Sequence, residues 1–316
     1  MSAEKVQTAV IALGGNALSP PGDRATIGDQ FSYTRASLAP IVDLALDGWH
    51  LCIVHGNGPQ VGDELARSEA ARAEVEPLPL GVLVAATAGW IGYMVQQSLQ
   101  NALRREGSRR GVATVITQIK VRSDDPALAD PTKSIGHELP DDIARNLEAA
   151  GHAVKRDSEG RYRRVVGSPA PVAIPEIELV RLLVEQGTLV IACGGGGVPV
   201  YADQKLGLEG VDAVVDKDLA AALLARELGA DLLLILTSVD AVYADWNTPG
   251  QRALSEMSVA EAEQLDSEGA FGVGSMAPKV RAAVDFVRHT GGRAVIAELS
   301  KGREAVRGVS GTTIKP

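Results

Sequence analysis

The chain carries 22 arginines and nine lysines, so arginine supplies most of the positive charge and the few lysines stand out. Three of them sit in unusual places. Lys217, in "DAVVDKDLAAALLA", opens a predicted helix whose N-cap is Asp216, and Lys279, in "GSMAPKVRAAVDF", follows Pro278 in the first turn of another. A cation there meets the positive end of the helix dipole, at a cost of a few tenths to about 1 kcal/mol, which a bound anion reverses. Either lysine alone reads equally well as a solvated side chain whose charge is screened. Asp218 supplies a carboxylate that can orient ammonium groups or help hold Mg²⁺, and it is equally an ordinary first-turn acid. Lys133, in "DPTKSIG", would pass on its own as a loop residue.

Glycine marks the complementary half of such a site. Gly14-Gly15-Asn16 follows "VIAL", Gly56-Asn57-Gly58-Pro59 follows "LCIVH", and Gly194 to Gly197 follow "LVIAC". Turns after the strands of a parallel sheet all lie on its carboxyl edge, where open α/β sheets bind ligands. Glycines there let backbone N–H groups approach an oxyanion, and the following helix adds its dipole. Any one of these turns is as readily a tight strand-to-helix connection; three together favour a shared ligand site. The phosphate-loop pattern is absent, "GNGPQVG" has the wrong spacing for a dinucleotide fingerprint, and neither G-x-S-x-G nor H-E-x-x-H occurs. Glycine turns, lysines and a carboxylate suit phosphoryl transfer, which depends on positioning and charge neutralisation more than on covalent chemistry. A nicotinamide oxidoreductase ranks far behind.

These groups must be positioned by alternating elements. Short apolar runs ("TAVIAL", "HLCIVHG", "LVIACG", "DLLLILTSVD", "RAVIAE") alternate with helical stretches ("YTRASLAPIVDLALDG", "KDLAAALLARELGA", "SVAEAEQLDS", "PKVRAAVDFVRHTG"). This rhythm predicts an α/β fold with a mainly parallel sheet and helices on both faces. Residues 122–171 break it, being polar and turn-rich with one helix candidate and a short strand pair; they predict an ordered insertion protruding from the core. A net charge of −9 without a dense basic block argues against a nucleic-acid partner. No apolar stretch reaches the roughly 18 residues of a membrane helix, and the first residues lack a clean signal-peptide pattern, so a cytoplasmic location is expected. Cys52 and Cys193 each fall in a strand-like run and read as buried residues rather than as a disulfide.

In their order along the chain, "VIALGGNAL", "VHGNGPQVG", "IGY", "PTKSIG", "RRVVGSPAP", "CGGGGVPV", "GVDAVVDKDLAAALLA", "LTSVDAVY" and "GSMAPKVRAA" resemble the carbamate kinases of the amino-acid kinase superfamily. The resemblance runs from about Val6 to Thr313, with departures at Ala88, where the family usually has glutamine, at Ser134 and Gly167, where it has proline, and around Arg122 and Ser123. It implies a three-layer αβα sandwich with a protruding subdomain over 122–171 and a nucleotide-binding lobe from about residue 187. It also implies reversible phosphoryl transfer between ATP and carbamate, with Mg²⁺ carried by the nucleotide, in a cytoplasmic homodimer of arginine catabolism. Gly14, Gly15 and Asn16 would cradle the transferring group, and Gly56 and Asn57 would hold carbamate. Lys133 would reach down from the subdomain, Lys217 and Lys279 would stabilise phosphate charge, and Asp218 would organise them. Tyr243 and Met276 would flank the adenine. A related kinase acting on another small carboxylate and a nucleotide sensor without turnover are the alternatives.

Overall fold

The computed structural model describes residues 6–15, 18, 25–157, 159–271 and 276–316. In chain order the elements are β1 (Thr8–Leu13), α1 (Ile27–Ser37), α2 (Ala39–Leu46), β2 (His50–His55), α3 (Gly58–Ala70), α4 (Leu80–Arg105), β3 (Val112–Thr114), β4 (Gln118–Lys120), α5 (Pro126–Ala129), β5 (Lys133–Leu139), α6 (Asp141–Ala149), β6 (Val154–Arg156), β7 (Tyr162–Val166), α7 (Ile177–Glu185), β8 (Leu189–Ile191), β9 (Val198–Asp203) and β10 (Gly207–Gly210). The chain continues through α8 (Lys217–Leu228), β11 (Leu232–Thr237), β12 (Val242–Ala244), β13 (Arg252–Leu254), β14 (Glu256–Ser258), α9 (Val259–Ser267), α10 (Met276–Thr290), β15 (Arg293–Glu298), α11 (Gly302–Val306) and β16 (Thr312–Lys315).

Eight strands form one sheet in the order β14-β16-β15-β11-β1-β2-β8-β3. All its neighbours run parallel except β15 and β16. Successive side chains of a strand point to opposite faces, and both faces here are apolar. Val10, Ala12, Cys52, Val54, Leu233 and Ile235 meet residues of α7, α8, α9 and α10. Ala9, Ile11, Leu13, Ile53, Leu232 and Leu234 meet α2, α4 and α11. Burial on both sides explains why these strands read as continuous apolar runs rather than alternating ones, and it makes the molecule the three-layer αβα sandwich that the rhythm predicts.

The first predicted helix divides at Leu38 into α1 and α2, with Pro40 within the first turn of α2. Proline has no N–H for an interior helical bond but suits a helix start, so one amphipathic stretch becomes two elements. Residues 133–166 supply a separate antiparallel sheet, β5-β7-β6, with α6 against β6 and β7. It contains three strands where the sequence suggested a pair. Ile135 and Val166 of this sheet join Val61 and Leu65 of α3, Leu83 and Val84 of α4, and Val214 in a small apolar cluster of their own.

Candidate active site

The alanine-rich segment after Asp216 folds as α8 because Asp216 caps it: one carboxylate oxygen accepts from the amides of Asp218 (2.8 Å) and Leu219 (3.4 Å). Its other end stops at Gly229 in the left-handed conformation. This start fixes Lys217 and Asp218 at the carboxyl edge of the main sheet. Lys217 Nζ donates to Asp218 Oδ1 at 2.7 Å, and Lys279 Nζ, from the first turn of α10, lies 3.3 Å from Asp218 Oδ2. Lys133, the first residue of β5, donates to the remaining oxygen of Asp216. Three ammonium groups thus face two carboxylates. Burial lowers the pKa of Lys279, with Asp218 opposing that shift. Burial works to raise the Asp216 carboxyl, but the charges of Lys133 and Lys217 and its hydrogen bonds hold it well below the usual range.

The glycine turns bring these charges together with the strand ends. A Cβ on Gly56 would stand 3.2 Å from Lys217 Cδ and 3.5 Å from the amide nitrogen of Gly15, so this turn leaves the passage for the lysine stem. The amides of Gly14 and Gly56 donate to the carbonyls of Leu236 and Leu13, leaving the following residues to meet a ligand. In the Gly194–Gly197 run the close approach comes mainly from the protein itself. A Cβ on Gly194 would meet His55 Nε2 at 2.6 Å, one on Gly195 the Asn57 amide at 2.3 Å, and one on Gly196 the Val215 carbonyl at 2.1 Å. The run therefore knits β2, the turn after it and the approach to α8 into one edge. Cys193, which enters it, holds the left-handed φ of 50° and donates its amide to Thr117 Oγ1, a strained geometry of the kind that needs a surrounding structure to enforce it.

Two cavities open at this edge. One, of about 470 Å³, is lined by Gly14, Gly15, Thr237, Ser238, Glu298 and Ser300 among others. The other, of about 500 Å³, is lined by Gly56, Asn57, Lys133, Gly195, Asp216 and Asp218 among others. Gly15, Lys217 and Lys279 border both. Two compartments thus meet across a lysine pair, the arrangement needed for a donor and an acceptor to exchange a phosphoryl group under positive charge.

Of the residues singled out in the sequence, Gly14, Gly15, Gly56, Asn57, Lys133, Lys217, Asp218 and Lys279 all border one or both cavities. The Asn57 side chain is buried and donates to Thr87 Oγ1 at 2.9 Å, so its amide is directed into α4. Asn16 lies outside the described residues. Tyr243 and Met276 border neither cavity; Tyr243 Oη donates to Asp240 and its ring stands edge-on to Trp246, while Met276 packs against the apolar layer of α8 and α10.

The segment "TSVDAVY", which the resemblance marks as part of the nucleotide pocket, does place Thr237 and Ser238 on a cavity wall, whereas sequence reasoning missed Asp216 as a partner of Lys133, Thr87 as the anchor of Asn57, and Glu298 and Ser300 as cavity walls. The last two carried a readable signal: both are polar, Glu298 closes the apolar strand β15 and Ser300 follows it, at the edge where such sheets bind ligands. His55 was missed too. Its ring is fully buried beneath the turns, Nδ1–H donates to the Gly56 carbonyl (3.0 Å), and burial pulls its pKa down to about 4.

A parallel three-layer sandwich with a lysine-rich, glycine-lined edge defines a phosphotransferase architecture. The Amino acid kinase family profile matches residues 7–298, and the chain belongs to that family. It is similar to the carbamate kinase of Pyrococcus horikoshii, with 43% identity over 310 residues, covering 97% of this chain and 98% of that protein. The structure of the carbamate kinase from Giardia lamblia bound to citric acid superposes with a TM-score of 0.93 at 36% identity, covering 100% of this chain and 99% of that one. The structure of the Giardia lamblia enzyme bound to AMP-PNP gives 0.90 at 36% identity, with the same coverage.

Proposed function

We propose that this chain is an ATP-dependent kinase that interconverts ATP and carbamate with ADP and carbamoyl phosphate. The observation that carries the reading is the pair of cavities meeting at Gly15, Lys217 and Lys279. The nucleotide occupies the compartment at the ends of β1, β11 and β15, whose walls come mostly from the lobe that begins at about residue 187, with Gly14 and Gly15 completing it. Carbamate, planar and small, occupies the compartment between the Gly56–Asn57 turn and Lys133, where backbone groups can approach its oxygens closely.

Lys217 and Lys279 neutralise charge on the phosphates as the group passes between the two oxygens, and Asp218 holds both ammoniums in place before substrate arrives. Residues 122–171 act as a subdomain that delivers Lys133 to the acceptor side. Preorganised donors of this kind need no reorganisation at the moment of transfer. Both oxygens of Asp218 and one of Asp216 already face lysines, so the residues present fit a Mg²⁺ that enters on the nucleotide better than one caged by the protein. When bound, that ion supplies further neutralisation of phosphate charge.

The relatives' name brings the acceptor, carbamate, to this chain. The deciding experiment is ATP formation from ADP, Mg²⁺ and carbamoyl phosphate by the purified protein, with Lys217→Ala as the control for contaminating activity. Lysine-dependent ATP production is expected. ADP binding without ATP formation would overturn carbamate as the acceptor, and acetylglutamate and glutamate would then be tested with ATP. A homodimer is part of the proposal: exposed Val82 and Tyr93 on α4, with Ile116 packed beside Gly89, present apolar surface that a second copy would cover. Light scattering tests it.

A further inference from the structure

We infer that Gly62 and Gly136 are positioning residues for Lys133: their backbone-to-backbone contact fixes how closely the β5-β7-β6 sheet docks on α3, and thereby where the ammonium of Lys133 ends. The inference rests on the reading of Lys133 as a group that acts on the acceptor side. A Cβ built on Gly62 would lie 2.1 Å from both Cα and N of Gly136 and 3.0 Å from the carbonyl carbon of Ile135. The obstructing atoms are all backbone, so no side-chain rotation relieves the clash and β5 itself must move. Gly136 has a φ of +70°, and a Cβ on it would stand 3.4 Å from Gly62 Cα.

The two glycines sit on elements that lead straight into the site. Asn57, at the N-terminus of α3, and Lys133, at the start of β5, border the same cavity. Lys133 is three residues from Gly136, about 10 Å along an extended strand. Other contacts draw the two elements together around the glycine pair. His137 Nε2 lies 3.4 Å from Asp63 Oδ2, Arg164 donates to both oxygens of Glu69 on α3 at 2.6 and 2.7 Å, and Ile135 is buried against Val61 and Leu65. These contacts pull; the bare backbones set the stop.

A cavity of about 610 Å³, lined by Asp63, Ala66, His137 and Leu139 among others, opens beside the joint. The sheet meets α3 along the face that carries Val61, Gly62, Leu65 and Glu69, and a displacement at Gly136 is passed along β5 toward Lys133. Misplacing a catalytic group by about 1 Å costs on the order of 10²-fold in rate.

The test is a double-mutant cycle in ATP synthesis from ADP and carbamoyl phosphate, with ADP affinity measured by calorimetry. Gly62→Ala is expected to lower kcat by about 10- to 100-fold while leaving ADP affinity within about twofold. In a Lys133→Ala background the same substitution is expected to cost less than about twofold, because the group it displaces is gone. Gly136→Asn, which the left-handed backbone tolerates, gives a smaller loss that disappears in the same background. It carries the test if Gly62→Ala does not fold. An equal fold-loss in both backgrounds overturns the joint as a positioning device and leaves Lys133 in its role. A Lys133→Ala variant with undiminished kcat overturns the reading of Lys133 itself, and the inference with it.

Discussion

Lys217 and Lys279 reach the site from helix starts inside the core, whereas Lys133 reaches it from the first residue of a strand in a separate sheet. The side chains differ accordingly: Lys217 and Lys279 are 14% and 9% exposed and share a carboxylate that is 3% exposed, while Lys133 is 39% exposed and pairs with one that is 14% exposed. The first arrangement is a buried triad around Asp218 whose geometry is set by α8 and α10. The second is a longer lever, held at its tip by one ion pair and at its base by a glycine contact. One protein thus uses two ways of placing a cation: dense packing where charge must be constant, and a docked sheet where reach is needed.

This contrast breaks first if the buried pair is dispensable. Lys217→Ala and Lys279→Ala are each expected to lower kcat by on the order of 10²–10³, the usual cost of removing one preorganised charge-stabilising donor; steady-state ATP synthesis checks it, and near-normal turnover in both would remove the proposed phosphoryl site. Lys133→Ala should cost less, about 10- to 100-fold. It should also leave the urea midpoint within about 1 kcal/mol of the parent, since ion pairs with this much solvent contribute little to stability. If Lys133→Ala instead destabilised the protein strongly, the docked sheet would be part of the folding core and the distinction between the two arrangements would fail.

The same contrast governs what could be read from the sequence. The buried half was legible because its signals are local: Asp216 before an alanine-rich run marks a helix start, Pro278 marks another, and glycine after an apolar strand marks a turn on the ligand edge. The docked half was not. Lys133 and Asp216 are 83 residues apart in the chain, and nothing in "PTKSIGHEL" announces a seven-residue strand. Glycine, polar residues and a central histidine weaken its alternation. Its order comes from pairing with β7 and from Ile135 entering a cluster with α3, both of which are tertiary facts. The four-glycine run shows a different limit. Its composition pointed to a ligand, yet His55, Asn57 and the Val215 carbonyl occupy the space that side chains would need; glycine reports close approach without saying of what.

His55 separates the two regions by pH. It is buried beneath the core turns and its pKa is pulled from 6.5 down to about 4 by that burial, whereas His137 and His152 lie at the docked sheet beside Asp63 and Glu69. Between pH 6.5 and about 4 the unfolded chain takes up a proton at His55 that the folded chain refuses, so this residue makes stability fall as the pH is lowered through that window, by at most about 1.4 kcal/mol per pH unit. His55→Gln, which keeps a donor for the Gly56 carbonyl, is expected to be less stable than the parent at pH 7 and to close that gap as the pH falls to 4.5. Urea midpoints that stay parallel across this range would mean that His55 accepts its proton without unfolding the edge.

The smallest expected effect tests the tip of the lever. Asp216→Asn keeps an N-cap residue on α8, because asparagine caps nearly as well as aspartate, but removes the charge that faces Lys133. Stability at pH 7 should therefore fall only by what the charge of Asp216 contributes through its lysine partners. Asp218→Asn, which deprives two buried ammoniums of their shared partner, should cost more. Since the Asp216 carboxyl is held below its ordinary value of 3.8 in the folded state, its contribution is fully present above that pH and is lost as the pH falls further. The difference between parent and Asp216→Asn should shrink from pH 5 to pH 3. A difference that holds constant would mean that the Lys133–Asp216 pair adds nothing to the folded state, leaving the docking of the sheet on α3 to place Lys133.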